Sequence, residues 1–293
     1  MKINIQISSN TMINAIYFGL ALTGYEYGYI NKPDNVADML KQTESYAGLN
    51  DVKEFFTAAR QNTCEVYPFW PRAALMETAT FFINNITSEF DFSKYKNYVY
   101  SLQNITPAER NDSLFNWIAT FPQALDKIQN DSMFHNMNNK MYETVCQISH
   151  DISIQMTTLA DKLSKLSQGI NTGVTKMTVI ICPIKCIYSA DYFLRDNEMF
   201  VILGNFLPHS VVHEYMHLVV HPKIAQHKED ILSHSRMADI DQSYYLDGNE
   251  AGELNAFEEH IVRLLSNAIS ENTNICVDTT ITSELEKFNG GIA

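Results

Sequence analysis

The segment from His209 to Pro222 constrains this chain more than any other part of its sequence. It places His213 and His217 four residues apart, with Glu214 directly after the first histidine. On a helix, side chains four residues apart lie on one face, one turn above the other, so both imidazoles can reach a single ion. Glu214 then points toward a water beside the ion rather than at the ion. This H-E-x-x-H spacing predicts a metal site with a general base.

The residues around this motif are apolar, which favours a bound metal over isolated buried histidines. Valine, tyrosine, methionine and leucine fill all the remaining positions from Val211 to Val220. Two imidazoles and a carboxylate in such a run are costly to bury without partners, and a metal ion removes that cost. Pro208 occupies a natural helix start, and Pro222 is expected to end the helix after His221.

Composition narrows the class of protein. The chain has 293 residues, 45% of them hydrophobic and 19% charged, which is typical of a globular protein with a sizeable core. The formal net charge of −13, without a compact basic cluster, argues against nucleic acid as a partner. The five cysteines are scattered and odd in number, so a disulfide framework is not expected.

The sequence also bears on membrane insertion and export. No uncharged apolar run of about 18 residues occurs, so no membrane span is predicted. The first eight residues alternate between apolar and polar, as in a strand, and lack the apolar core of a signal peptide. We therefore expect a cytoplasmic protein of bacterial type. The sequence does not indicate an oligomeric state.

Hydrophobic periodicity predicts an α+β fold that is mostly helical. Residues 1–168 are predicted to form a mainly helical amino-terminal region after a first strand, and 169–293 to form a catalytic region sharing one core with it. The helical windows are 10–22, 34–46, 51–62, 71–85, 107–120 and 131–167. Two β-branched runs, 176–183 and 198–204, are predicted as buried strands. A small sheet should therefore lie next to the motif helix.

The order strand, strand, H-E-x-x-H helix resembles the catalytic core of the zincin metallopeptidases. The resemblance covers about residues 175–268. It implies peptide or protein substrates, one Zn²⁺ ion and Glu214 as the general base. In that superfamily an edge strand before the active-site helix pairs with an extended peptide. The resemblance thus implies that Met199–Leu203 is the substrate-pairing edge, with Val201 and Leu203 beside the peptide.

A catalytic zinc takes three protein ligands, so one ligand must come from outside the motif. His209 and His221 each lie about 6 Å further along the helix axis, at ~1.5 Å per residue, and are therefore too far away. The metzincin pattern requires Gly and His at positions 220 and 223, where this chain has Val220 and Lys223. That subclass is excluded.

An acidic residue on a later helix, as in the gluzincins, is the remaining source of the third ligand. Residues 252–268 are predicted as an amphipathic helix, and Glu258 lies on its apolar face, which favours Glu258. The run from Glu259 to Arg263 resembles the E-x-x-V-R run of uncharacterised bacterial zincin-like families, which favours Glu259. Both glutamates stay candidates at this point.

Three residues between the two helices, Tyr244, Tyr245 and His234, are candidates for stabilising the oxyanion of the transition state. The pattern selects none of them. Arg263 is a candidate for contacting substrate or orienting a ligand carboxylate, with a simple ion pair to Glu259 as the alternative.

Two alternatives to a peptidase are open at the level of sequence. One is a zinc-dependent enzyme that acts on a non-peptide amide with the same residues. The other is a catalytically silent binding protein on a zincin scaffold. Because loss of the general base is the simplest route to inactivity, the intact Glu214 argues against the silent scaffold.

Overall fold

The computed structural model describes residues 3–25, 28–62, 121–166, 172–187, 190–233, 250–270 and 276–290. Within these ranges ten helices accompany one four-stranded sheet, which confirms the predicted α+β class. The strands are β1 (Asn4–Ser8), β2 (Lys176–Ile181), β3 (Asp191–Arg195) and β4 (Glu198–Leu203). The helices are α1 (Thr11–Leu22), α2 (Asp34–Glu44), α3 (Asn50–Asn62), α4 (Phe121–Gln129), α5 (Ser132–Asp151), α6 (Ser153–Leu166), α7 (Pro208–Gln226), α8 (Lys228–Ser233), α9 (Glu250–Ser270) and α10 (Val277–Gly290).

The order of the strands corrects one expectation. The sheet runs β1-β2-β4-β3, with β1, β2 and β4 parallel and β3 antiparallel to β4. The strand at Met199–Leu203 is confirmed, but the prediction that it forms the edge is wrong. The chain reverses at Asp196, which has a left-handed φ of 53°, so β3 folds back along β4 and takes the outer position. Val201 and Leu203 are buried in the core and do not lie on the outer strand.

Each face of the sheet packs against a different group of helices. Side chains that alternate along a strand point to opposite faces. Met177, Val179 and Val201 point toward the core formed with α6 to α10 and with Val145 of α5. Ile180 and Ile202 point toward the core formed with α1 to α5. The two central strands, β2 and β4, are therefore largely apolar on both faces, as is usual for parallel strands between helices.

The helical predictions hold with two exceptions in the described residues. The single helix predicted for 131–167 is divided into α5 and α6 at Ile152, where the backbone leaves helical geometry at φ −109° and ψ 10°. Pro222 does not end the motif helix, which continues to Gln226 because the buried Ile224 still packs on the core. The windows 71–85 and 107–120 lie outside the described residues. None of the described helices combines the length and apolar character that crossing a bilayer requires.

A half-buried lysine, Lys32, holds the chain segments that follow β2 and β4. The Lys32 ammonium donates hydrogen bonds to the carbonyl oxygens of Pro183 at 2.6 Å, Lys185 at 2.5 Å and Gly204 at 3.2 Å. Burial lowers the pKa of Lys32 to about 8. Because Gly204 lies four residues before α7, these bonds fix the point from which the motif helix departs.

Gly204 itself lies so close to the crossing chain that a side chain has no room. A Cβ atom at this position would lie 2.2 Å from the carbonyl oxygen of Lys185 and 2.8 Å from that of Cys186. We expect Gly204→Ala to lower the free energy of unfolding by about 2 kcal/mol or more in urea titrations, because backbone atoms must shift. Gly28→Ala is the control, since its Cβ would meet no atom closer than 3.4 Å. Equal losses in both variants would contradict this explanation.

Candidate metal site

Helix α7 carries the two motif histidines on the side that faces α9. His213 and His217 lie one turn apart, with their ring centroids 5.1 Å from each other and their planes at 80°. The neighbouring side chains of Val212, Tyr215 and Met216 are buried in the core and anchor the helix. Both imidazoles are therefore held by the packing of the helix that carries them.

Glu259 of α9 faces both histidines. Its Oε2 lies 3.5 Å from Nε2 of His213, and its Oε1 lies 3.2 Å from Nε2 of His217. One ligand atom from each of the three residues lies within 4.8 Å of the other two, so the group could hold a metal ion. Two imidazole nitrogens and a carboxylate oxygen form a donor set that suits zinc. The group includes neither His209 nor His221, as the helical spacing predicted.

Glu258 contacts the other ring nitrogen of His217. Its Oε1 lies 2.9 Å from Nδ1 of His217, and its Oε2 lies 2.8 Å from Nδ1 of His221. The side chain is only 9% exposed, which confirms that it points inward. Successive residues on a helix differ by about 100° in direction, so the adjacent glutamates reach different sides of the same ring. Glu259 therefore joins the candidate ligand group, while both oxygens of Glu258 are occupied by histidines.

The site concentrates opposite charges in a buried place. Burial alone would lower the pKa of His217, but its bonds to Glu258 and Glu259 prevail and raise it to about 10. Burial would raise the pKa of Glu258, and the bonds to His217 and His221 lower it overall. Burial likewise opposes ionisation of Glu259, whose pKa is nevertheless held far below its usual range by His213 and His217. Without a metal, His217 is an imidazolium between two carboxylates.

Of the other predicted site residues, Glu214 and Arg263 lie in the described part of the chain. Glu214 is buried on α7, and its charge contributes to raising the pKa of His217. The Arg263 guanidinium is half exposed, with Nε 4.0 Å from Oε2 of Glu259, in agreement with an ion pair. Tyr244, Tyr245 and His234 lie outside the described residues.

One residue of the site was not predicted from the sequence. Tyr192 of β3 stacks on His217, with ring centroids 5.8 Å apart and planes at 16°. The prediction missed β3 because it did not recognise the hairpin between β3 and β4. The Asp196-Asn197 pair between two short apolar segments was the available signal, since such pairs favour tight turns between strands.

Comparison with known proteins identifies no relative. No protein-family model matches the sequence, and no match is found among curated proteins or solved structures. What the structure supports of the zincin resemblance is a His-His-Glu group carried by two packed helices in an α+β fold. The interpretation of the site therefore depends on its own residues and geometry.

Metal binding should depend on Glu259. Glu259→Gln replaces the carboxylate whose two oxygens face Nε2 of His213 and Nε2 of His217 with a neutral amide. We therefore expect zinc affinity to fall by roughly 100-fold or more, measured by competition with a chromophoric chelator. Glu253→Gln, on the same helix and outside the ligand group, is the matched control and should bind zinc like the wild type. Equal affinities of the two variants would contradict the assignment of the group.

Metal binding should also release protons. Because the pKa of His217 is about 10 in the metal-free protein, this ring carries both protons at neutral pH. A metal ion binds only an unprotonated nitrogen, so it must displace a proton, and its apparent affinity should rise with pH below that pKa. Titration calorimetry in buffers of different ionisation enthalpy measures the released protons. A zinc affinity that does not change from about pH 6 to about pH 9 would contradict this prediction.

Proposed function

We propose that this protein is a zinc-dependent metallopeptidase that holds one Zn²⁺ ion on His213, His217 and Glu259. The observation that carries the proposal is the convergence of three ligand atoms from α7 and α9 next to the buried Glu214. Three protein ligands leave a fourth position for solvent or substrate, as catalytic zinc sites require. When bound, the ion would supply Lewis-acid polarisation of the scissile carbonyl and acidify the attacking water.

Glu214 is proposed as the general base. It follows His213 directly, so the same helical turn directs its carboxylate beside the ligand group rather than into it. Its carboxylate would accept a proton from the attacking water and then deliver that proton to the nitrogen of the leaving amine. Burial supports this role because a carboxylate that is only 7% exposed is shielded from bulk solvent.

The site suits an extended peptide better than a compact amide because an outer strand of the sheet, β3, lies beside it. β3 is the outermost strand on its side of the described sheet, and its Tyr192 stacks on the ligand His217. Tyr192 pairs with Val201 in the register, so its side chain lies on the sheet face that packs against α7. We propose that the substrate pairs with β3 by strand addition, with its scissile bond near the ligand group.

Glu214→Gln tests the proposed chemistry. The amide cannot accept the proton of the attacking water, so peptide cleavage should fall by roughly 100- to 10,000-fold while zinc affinity stays near that of the wild type. Glu229→Gln, at an exposed position on α8, is the control and should cleave normally. The assay uses two panels, a mixed library of unstructured peptides and a set of small non-peptide amides, with the products of both identified by mass spectrometry.

Three outcomes of this assay separate the candidate functions. Cleavage of extended peptides that depends on Glu214 supports the metallopeptidase. Hydrolysis of small amides alone, with the peptide library intact, contradicts it and supports the non-peptide hydrolase. Bound zinc without hydrolysis of either panel contradicts both enzyme functions and supports a silent zincin scaffold.

A further inference from the structure

We propose that Glu258 is a positioning residue that orients His217 for metal binding, and that His221 in turn holds Glu258. The contacts form a chain from His221 Nδ1 to Glu258 Oε2 at 2.8 Å, and from Glu258 Oε1 to His217 Nδ1 at 2.9 Å. This inference depends on the proposed zinc site, because it assigns a role to residues that contact one of the ligands.

The first step concerns the tautomer of His217. A neutral imidazole carries one N–H, and its other nitrogen offers a lone pair. When Nδ1–H donates to Glu258, the lone pair is on Nε2, the atom that faces Glu259 and the ligand group. A carboxylate bonded to the outer nitrogen of a metal-binding histidine fixes both its tautomer and its ring orientation. The stacked ring of Tyr192 restrains the same imidazole from its face.

The second step concerns the orientation of Glu258 itself. A buried carboxylate needs partners for both oxygens, and a single bond to His217 would leave the group free to rotate. The bond to His221 occupies the second oxygen. His221 is 55% exposed, so it holds Glu258 from the solvent side of the helix pair. His221, one turn beyond His217, therefore acts through Glu258 and not on the ion.

Glu258 and Glu259, although adjacent, thus contact different nitrogens of the histidines. Glu259 presents its oxygens to the Nε2 atoms of both motif histidines, whereas Glu258 presents its oxygens to Nδ1 atoms. Removing Glu258 should leave all three ligands in place but allow the His217 ring to turn. The expected defect is in metal affinity and not in the number of ligands.

The chain offers a matched control for the loss of a buried carboxylate. Glu284 of α10 is similarly shielded, with a side chain 10% exposed, and its carboxylate contacts His260 Nε2 at 2.9 Å and also Lys287. It bonds a histidine as Glu258 does, but it does not contact the ligand group. Glu284→Ala therefore reports the general effect of deleting such a carboxylate.

The experiment measures zinc dissociation constants of the full chain by chelator competition. We expect Glu258→Ala to weaken zinc binding by roughly 10- to 100-fold, and Glu284→Ala to change it by less than about 2-fold. Glu258→Gln should recover most of the affinity, because its amide oxygen can accept from His217 and its amide N–H can donate to His221. His221→Ala should weaken binding by several-fold, roughly 3- to 10-fold.

A second measurement reports the ring of His217 directly. Histidine side-chain ¹⁵N spectra of the zinc-loaded protein should show a protected Nδ1–H for His217 in the wild type and in Glu258→Gln. In Glu258→Ala this proton should exchange rapidly with solvent, so its signal should be lost. If Glu258 only stabilised the fold, Glu258→Ala would lower the free energy of unfolding but leave the His217 Nδ1–H proton protected.

The outcomes distinguish this inference from the proposed function. A wild type that binds no zinc overturns both. A wild type that binds zinc, with unchanged affinity in folded Glu258→Ala or an equal loss in Glu284→Ala, overturns only the positioning role. Should Glu258→Ala fail to fold, wild-type affinity in His221→Ala overturns it in the same way.

Discussion

The rest of the site depends on the position of His217 between two carboxylates in the interface of α7 and α9. Glu258 meets one nitrogen of the ring, and Glu259 meets the other. Around them the interface is apolar, with Phe257 and Ile261 buried on α9. Charges in such surroundings are costly to bury unless they are paired, so His217, Glu258 and Glu259 stabilise one another where the two helices pack. A metal ion on Nε2 would replace a proton in an arrangement that already exists.

The sheet places this helix pair and supplies one wall of the site. β4 leads directly into α7, and the bonds from Lys32 hold the connection at Gly204. β3 folds back on β4, which carries Tyr192 to the face of the His217 ring. β3, the turn at Asp196, β4 and α7 are therefore consecutive in the chain, and together they position His217 and the ring that stacks on it. The opposite face of the sheet is filled by a separate apolar core against α1 to α5.

Much of this arrangement could be predicted from local sequence. The four-residue spacing of His213 and His217 predicts their common face, and the apolar periodicity of 252–268 predicts both α9 and the inward direction of Glu258. The choice between the glutamates could not be predicted, because it depends on how α9 crosses α7. The inward direction of Glu258 did not indicate which nitrogens each glutamate contacts. The more buried carboxylate meets Nδ1 of His217, and the more exposed carboxylate of Glu259 meets Nε2 of both motif histidines. β3 was missed because a five-residue strand has little periodicity of its own.

The coordination of the bound ion tests the central claim most directly. X-ray absorption at the zinc edge of the purified, zinc-loaded protein measures the type and distance of the ligand atoms. The proposed site predicts only nitrogen and oxygen neighbours at about 2.0–2.2 Å, with the multiple-scattering signature of two imidazoles. Glu259→Gln should lose this spectrum. A sulfur shell at about 2.3 Å, or a spectrum without imidazole, would contradict a site built on His213, His217 and Glu259.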